Sequence, residues 1–280
     1  MIDIHTHFGR IMLDKKPLKP YQLLQMMDRE GIEKAVVLPI ENPEEAYFYV
    51  TTEEVLKGCK RHPERLIPFC NVDPRRGASD TTTKFYEVIK EYVDRGCRGF
   101  GEALSGLWID DPRLQEIYSA CSNLKIPILI HLDNLRNLDE LGMPRFEEMI
   151  KKFLQLTFIG HGPHFWAEIS SRVTKDEIGA YPKGEIKKGG ALGKLLKKYP
   201  NLYGDLSAGS GYNALARDKE FAYKFLEDYQ DKLLYGSDYL YLGQPIPQLE
   251  FLKEAKRERK ISKTAFKKIT YENARRILLI

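Results

Sequence analysis

The stretch Met1-Ile2-Asp3-Ile4-His5-Thr6-His7 decides how the rest of the chain is read. Apolar and polar residues alternate along it, which is the period of a strand, and side chains two apart on a strand leave the same face. His5 and His7 therefore point to one spot, close enough to share a metal ion.

The same kind of short apolar run returns further along, at residues 34–40, 66–72, 97–103, 127–133, 157–162, 202–207 and 233–239, which with 1–7 predicts eight strands. Between them, apolar residues at three- and four-residue spacing predict helices over 21–30, 52–61, 83–94, 112–123, 144–153, 191–198 and 219–229. Helix starts carry their usual punctuation: Asp111 ahead of Pro112, Thr51 or Thr52 ahead of Glu53 and Glu54, Asp218 ahead of Lys219 and Glu220. Strand-then-helix units in this number predict an α/β fold, a distorted (β/α)8 TIM barrel. A chain of 280 residues suits one such domain over 1–280, with extra C-terminal helices from 247 to 276. The rival is a doubly wound open sheet, which normally shows a glycine-rich phosphate loop after an early strand. Gly189-Gly190-Ala191-Leu192-Gly193-Lys194 fits neither nucleotide-loop spacing and has no Ser or Thr after the lysine, so it reads as a loop entering a helix.

Composition narrows the function classes. Hydrophobic residues make up 42%, enough for a large core, and the net charge of +4 is small for this size, which argues against a nucleic-acid or anionic-membrane partner. No apolar run approaches the roughly 18 residues of a membrane helix, and the first strand starts at once with no leader-like segment, so a cytoplasmic protein is expected. Cys59, Cys70, Cys97 and Cys121 are widely spaced and read as buried free thiols.

In such a barrel the active site lies at the C-terminal ends of the strands. His5 and His7 end the first strand, Glu102 stands near the end of the fourth, His131 ends the fifth, His161 the sixth and Asp238 the eighth. Of the six histidines in the chain, four occupy these positions. Each residue also has an ordinary structural reading. A single strand histidine is usually a hydrogen-bonded core residue, and Glu102 can pair with Arg98 on its own strand face. The joint placement favours metal ligation by His5, His7, His131 and Asp238; His161 is functional, as a ligand or as a catalytic helper, and Glu102 is a further functional candidate. Arg10, Asn71 and His164 are weaker candidates for touching substrate, and His62, beside Pro63 at a helix end, is excluded. The loop 163–188, with Trp166 and Tyr181, is long and follows a ligand strand, which marks it as a cover for the site.

Taken together, Asp3-Ile4-His5-Thr6-His7, the turn Asp110-Asp111-Pro112-Arg113-Leu114, Pro127-Ile128-Leu129-Ile130-His131, Phe158-Ile159-Gly160-His161-Gly162, Leu234-Tyr235-Gly236-Ser237-Asp238-Tyr239 and Tyr271-Glu272-Asn273-Ala274-Arg275-Arg276 resemble the amidohydrolase superfamily, most closely its amidohydrolase 2 branch. The resemblance covers nearly the whole chain. It implies one or two divalent metals, commonly zinc, with ligand roles on His5, His7, His131 and Asp238, and a sixth-strand histidine at His161. Binuclear members often bridge their metals with a carbamylated lysine on the fourth strand. No lysine lies between Cys97 and Ala103, so Glu102 would be the bridge, as a glutamate is in the TatD-like nucleases. One ion is favoured, with room for a second; zinc is the first expectation and manganese the second.

The expected chemistry is hydrolysis of a C–N or C–O bond in a small molecule by a metal-activated water, with Asp238 as general base. The alternative is a lyase, a decarboxylase of a small carboxylic acid. A TatD-like phosphodiesterase is a lesser alternative, and a barrel that only binds is disfavoured by the intact ligand set. The resemblance is also compatible with a homo-oligomer.

Overall fold

The structure is a computed structural model that describes residues 1–10, 16–77 and 81–280. Among the described residues ten strands occur: β1 (Ile2–Thr6), β2 (Lys34–Val37), β3 (Leu66–Pro68), β4 (Phe100–Ala103), β5 (Leu107–Trp108), β6 (Ile128–His131), β7 (Asn137–Leu138), β8 (Phe158–His161), β9 (Leu202–Asp205) and β10 (Leu233–Leu234). Eight of them form two parallel sheets, β1-β2-β3 and β4-β6-β8-β9-β10. Both seams between the sheets are bridged in parallel. Thr6 pairs with Tyr239 just beyond β10, and Cys70, just beyond β3, pairs with Phe100 of β4. The hydrogen bonds from Ile4 N to Tyr235 O (3.0 Å) and from Cys70 N to Gly99 O (2.9 Å) carry the two junctions. The result is the eight-stranded barrel that the strand count predicts.

The regular ladders are shorter than the apolar runs. β2 stops at Val37, β3 at Pro68 and β10 at Leu234. Beyond those points the chain stays extended and makes single cross-links, such as Leu38 N to Thr6 O at 2.9 Å. The two additional strands, β5 and β7, form a small parallel pair of their own in the segments that follow β4 and β6.

Helices fall where the apolar spacing places them. Thr51 is the N-cap of Thr52–Cys59, its side chain accepting from Glu54 N in a capping box. Asp111 caps Pro112–Leu124 by accepting from Arg113 N, with Pro112 in the first turn. Two helices lack an expectation: the short Pro163–Ala167 and Ala208–Ala216. The C-terminal region gives Pro247–Arg257 and then a continuous helical rod from 263 to 278 that includes one π-helical turn at Lys268–Glu272.

Two apolar clusters hold the barrel. The lumen is filled by Ile2, Ile4, Val36, Ile67, Leu129 and Ile159, and Ala274 and Leu278 of the last helix pack against the same cluster. A larger cluster lies between the strands and the surrounding helices. Asn273 anchors the rod to the barrel by donating to Leu233 O at 2.9 Å and Gln230 O at 2.7 Å. All four cysteines are free and buried.

Candidate metal centre at the barrel mouth

Leu129 and Ile159 pair across β6 and β8, and so do His131 and His161 two residues on, so these imidazoles leave the same face as the lumen residues. β1 obeys a different rule. Ile2 and Ile4 pack in the lumen with Leu129 and Ile159, and strict alternation would turn His5 away. The register of β1 shifts between Asp3 and Thr6. A bulge of this kind re-aims side chains, and it brings His5 and His7 to the lumen's upper end. β4 carries a second shift between Phe100 and Ala103, at Glu102. There Gly101 has φ +132°, and a Cβ would stand 2.6 Å from Leu129 O, so the close approach of β4 to β6 requires glycine.

The resulting cluster is tight. His5 Nε2 and His7 Nε2 are 3.1 Å apart. Glu102 Oε2 lies 3.4 Å from the first and 3.7 Å from the second, and Asp238 Oδ1 lies 3.5 Å and 3.4 Å from them. On the other side, Glu102 Oε1 is 2.7 Å from His131 Nδ1 and 3.8 Å from His161 Nε2. Among the described residues, three overlapping groups have ligand atoms within 4.8 Å of one another: His5, His161 and Asp238; His5, His7 and Glu102; and Glu102, His131 and His161. His131 is thus grouped with Glu102 and His161, not with His5 and His7, and Glu102 stands between the two sides.

The donor set fits a cation. His5 Nδ1 lies 2.7 Å from Asp205 Oδ2 and His7 Nδ1 lies 2.9 Å from Leu38 O. Both acceptors call for an N–H at Nδ1, which leaves each Nε2 of the neutral rings with a bare lone pair. Those lone pairs face one another, with the carboxylates of Glu102 and Asp238 beside them. A proton on His5 relieves part of this repulsion. Burial depresses the His5 imidazolium, but Glu102, Asp238 and Asp205 outweigh burial and hold its pKa well above the ordinary value. A divalent cation relieves every contact at once and replaces that proton.

The surrounding charges follow the same logic. Burial would raise the pKa of Glu102, yet His5 and His131 hold it well below the usual carboxylate range. Burial likewise opposes ionisation of Asp205, and His5 and His161 reverse that. His131, partly buried and clasped between Asp133 and Glu102, is raised to about 9. Asp3 goes the other way. Burial lifts it to about 7, despite the hydrogen bonds that Ser237 and the His5 backbone give it.

Three contributors were not expected from the sequence. Asp205, fully buried at the end of β9, accepts from His5 and also lies 3.1 Å from His161 Nδ1. Ser207 Oγ donates to Asp205 Oδ2 at 2.6 Å and lies 3.0 Å from His161 Nδ1. Asp133 Oδ2 lies 3.1 Å from His131 Nε2 and also takes Arg136, whose other arm holds Glu45 at 2.7 Å. The available signal was positional: Gly204-Asp205-Leu206-Ser207 ends a predicted strand, as the ligands do.

The weaker candidates separate. Asn71 is buried and donates to Glu102 O at 2.8 Å and Asn42 Oδ1 at 3.0 Å, so it braces β4 from behind. His164 is fully buried, has no hydrogen-bond partner on either ring nitrogen among the described residues, and stands 3.5 Å from Glu168. Arg10 is exposed just past β1. Arg98, offered as a partner for Glu102, lies at the other end of the barrel.

The long loop after β8 reaches over this end. Its neck is closed by Ser171 N to Lys187 O at 2.9 Å and Lys187 N to Ser170 Oγ at 3.1 Å. Gly179 packs against Asn134, in the segment after β6, and the Tyr181 hydroxyl packs against Gly209, in the segment after β9. Asp238 contributes to the raised pKa of Tyr181, after burial. Phe48, from the segment after β2, sets its ring edge-on to His7 at 6.2 Å. Among the described residues, no helix is long and apolar enough to cross a membrane.

A family model described as amidohydrolase matches residues 2–280. No curated protein matches the sequence. Solved structures of similar fold include an amidohydrolase from Burkholderia multivorans with bound zinc (TM-score 0.66, 14% identity, covering 100% of this chain and 99% of that one). A probable 2-pyrone-4,6-dicarboxylic acid hydrolase from Acinetobacter baumannii, with citric acid bound, gives TM-score 0.63 at 14% identity over 100% and 99% of the two chains. A 5-carboxyvanillate decarboxylase from Novosphingobium aromaticivorans, complexed with manganese and a nitrobenzoic acid, gives 0.61 at 15% identity over 100% and 96%. At such identities the likeness is one of fold.

Proposed function

The chain belongs to the amidohydrolase family, and on that premise we propose that it is a metal-dependent hydrolase of a C–N or C–O bond in a small molecule. The observation that carries the reading is the bare pair of Nε2 atoms of His5 and His7, 3.1 Å apart and flanked by Glu102 and Asp238. His5, His7, Asp238 and Glu102 would hold one ion, and Glu102, His131 and His161 offer room for a second. Nitrogen and carboxylate donors in this mixture make zinc the first choice and manganese the second. When bound, the ion supplies Lewis acidity that makes water a nucleophile near neutral pH and polarises a carbonyl.

The chain's own groups do the rest. Asp238, with 19% of its side chain exposed, is the acid in the cluster that reaches solvent. It takes the proton of the attacking water and returns it to the leaving group. His161, held by Asp205 and Ser207, keeps Nε2 directed at the reacting centre. The loop bearing Tyr181 limits water at the mouth, and Arg10 is the candidate for a substrate carboxylate.

A lyase reading stands second, because solved structures named as a hydrolase and as a decarboxylase match this fold about equally (TM-scores 0.63 and 0.61). One set of assays on protein loaded with zinc or manganese decides. Turnover of amides, lactones or cyclic carboxylates without CO2 release supports the hydrolase. CO2 release from aromatic or muconate-type acids replaces it with the lyase. Turnover of bis-p-nitrophenyl phosphate alone replaces both with a phosphodiesterase. Failure to take up a stoichiometric divalent ion overturns the metal reading itself.

A further inference from the structure

We propose that the opposite, N-terminal end of the barrel carries a second binding site, for a small organic anion with an apolar body. A cavity of about 860 Å³ opens there between helix Thr52–Cys59, the starts of β2 and β3, and the turn that leads into β4. Small-molecule sites span roughly 300–1,000 Å³. Lys34 begins β2, Leu66 begins β3 and Arg98 precedes β4, whereas the candidate metal ligands end their strands. The barrel therefore separates the two sites.

The lining has two chemistries. Leu56, Leu66, Ile67 and Pro68 give it an apolar floor. The rim carries Lys34, Lys57, Lys60, Arg95 and Arg98 against one acid, Glu53. Counting side chains only, five cations against one acid leave the rim clearly positive; the terminal residue Ile280 also lines the cavity, and its carboxylate offsets one of those charges.

Internal pairing leaves most of that charge available. Glu53 is taken by Arg95 through both oxygens, at 2.6 and 2.5 Å, and Lys34 Nζ donates to Glu64 O at 2.7 Å. Lys57, Lys60 and Arg98 form no ion pair with any described residue. Complementarity to helix C-termini accounts for Lys57, Lys60 and Arg95, which sit at the ends of Thr52–Cys59 and Phe85–Asp94. It does not account for Lys34 and Arg98, which flank strands. Cations above an apolar floor match a ligand whose head is a carboxylate or sulfonate and whose body is hydrocarbon. A bare inorganic anion would leave the floor in water, and a neutral apolar molecule would leave the rim uncompensated.

The test uses the metal-loaded full chain and the fluorescent probe 8-anilinonaphthalene-1-sulfonate, with octanoate as competitor. The expected result is saturable probe binding that octanoate displaces. A variant carrying Lys57→Glu, Lys60→Glu and Arg98→Glu should weaken it by about tenfold or more with an unchanged circular dichroism spectrum. His5→Ala should leave it intact. Equal affinity in the charge-reversed variant overturns the proposal. So does displacement by octanol as readily as by octanoate, and so does loss of the probe in His5→Ala, which would place it at the metal centre. Because His5→Ala and metal content are read separately, failure here does not touch the proposed activity, nor the reverse.

Discussion

The lower and upper halves of the lumen are built from the same strands and differ in what those strands contribute. Leu129 and Ile159 lie two residues before His131 and His161 on the same faces of β6 and β8. Below, the side chains are apolar and interlock with Ile2 and Ile4. Above, imidazoles and carboxylates take their place, with His5 and His7 fully buried, Glu102 only 4% exposed, and His131 and Asp238 partly open to solvent. Burying unpaired charge costs several kcal/mol per group. The lower half holds its shape through close packing alone. On the proposed reading, a cation, or protons in its place, offsets the repulsion among the electron-rich atoms of the upper half.

The contrast breaks most sharply by removing a group that acts in chemistry. His5→Ala or Asp238→Ala should cost about 10³-fold or more in kcat/KM, measured by steady-state assay once a substrate is in hand. Near-normal turnover in either variant would mean the upper half is not the active site. Next in size is metal removal. Chelation should lower the melting temperature by about 10 °C, and stoichiometric zinc or manganese should restore it. A lower-half substitution should behave in the opposite sense. Leu129→Ala should cost about 3 kcal/mol in a urea titration while metal stoichiometry stays unchanged.

A pH series sharpens the same point. His131 rises from its ordinary value to about 9 in the folded protein. Its contribution to stability is complete below the unfolded value near 6.5 and is lost as pH climbs through about 9. The metal-free protein should therefore lose about 2 kcal/mol between those limits, read as a falling urea midpoint. The metal-loaded protein should not follow it, because protons compete with the ion for the same ligands. The smallest effect belongs to His62→Ala, which should change activity and stability by no more than about 0.5 kcal/mol.

Much of this was legible from residues alone, for physical reasons. Buried parallel strands advertise themselves as apolar runs, so the eight barrel strands are found, and the candidate ligands at their ends inherit that visibility. What escaped depends on pairing or on side-chain direction. The bulge in β1 exists only through its register with β2. Asp205 lacks the histidine signature that draws attention to a strand end, and its role appears once His5 and His161 are seen on either side of it. His164 misleads for the converse reason. It is three residues from His161, but Pro163 opens a helix that carries it into the core. The helix Ala208–Ala216, rich in glycine and small polar residues, has too few apolar positions to show a period.

Asp205 has one further consequence. A single oxygen, Oδ2, lies 2.7 Å from His5 Nδ1, 3.1 Å from His161 Nδ1 and 2.6 Å from Ser207 Oγ. Two rings from distant parts of the chain take their orientation from one atom. A change at position 205 cannot be repaired at position 5 or 161 alone, since either repair leaves the other ring adrift. In descendants of this chain these positions should be inherited or abandoned as a set, a lockstep that an alignment of close relatives would display.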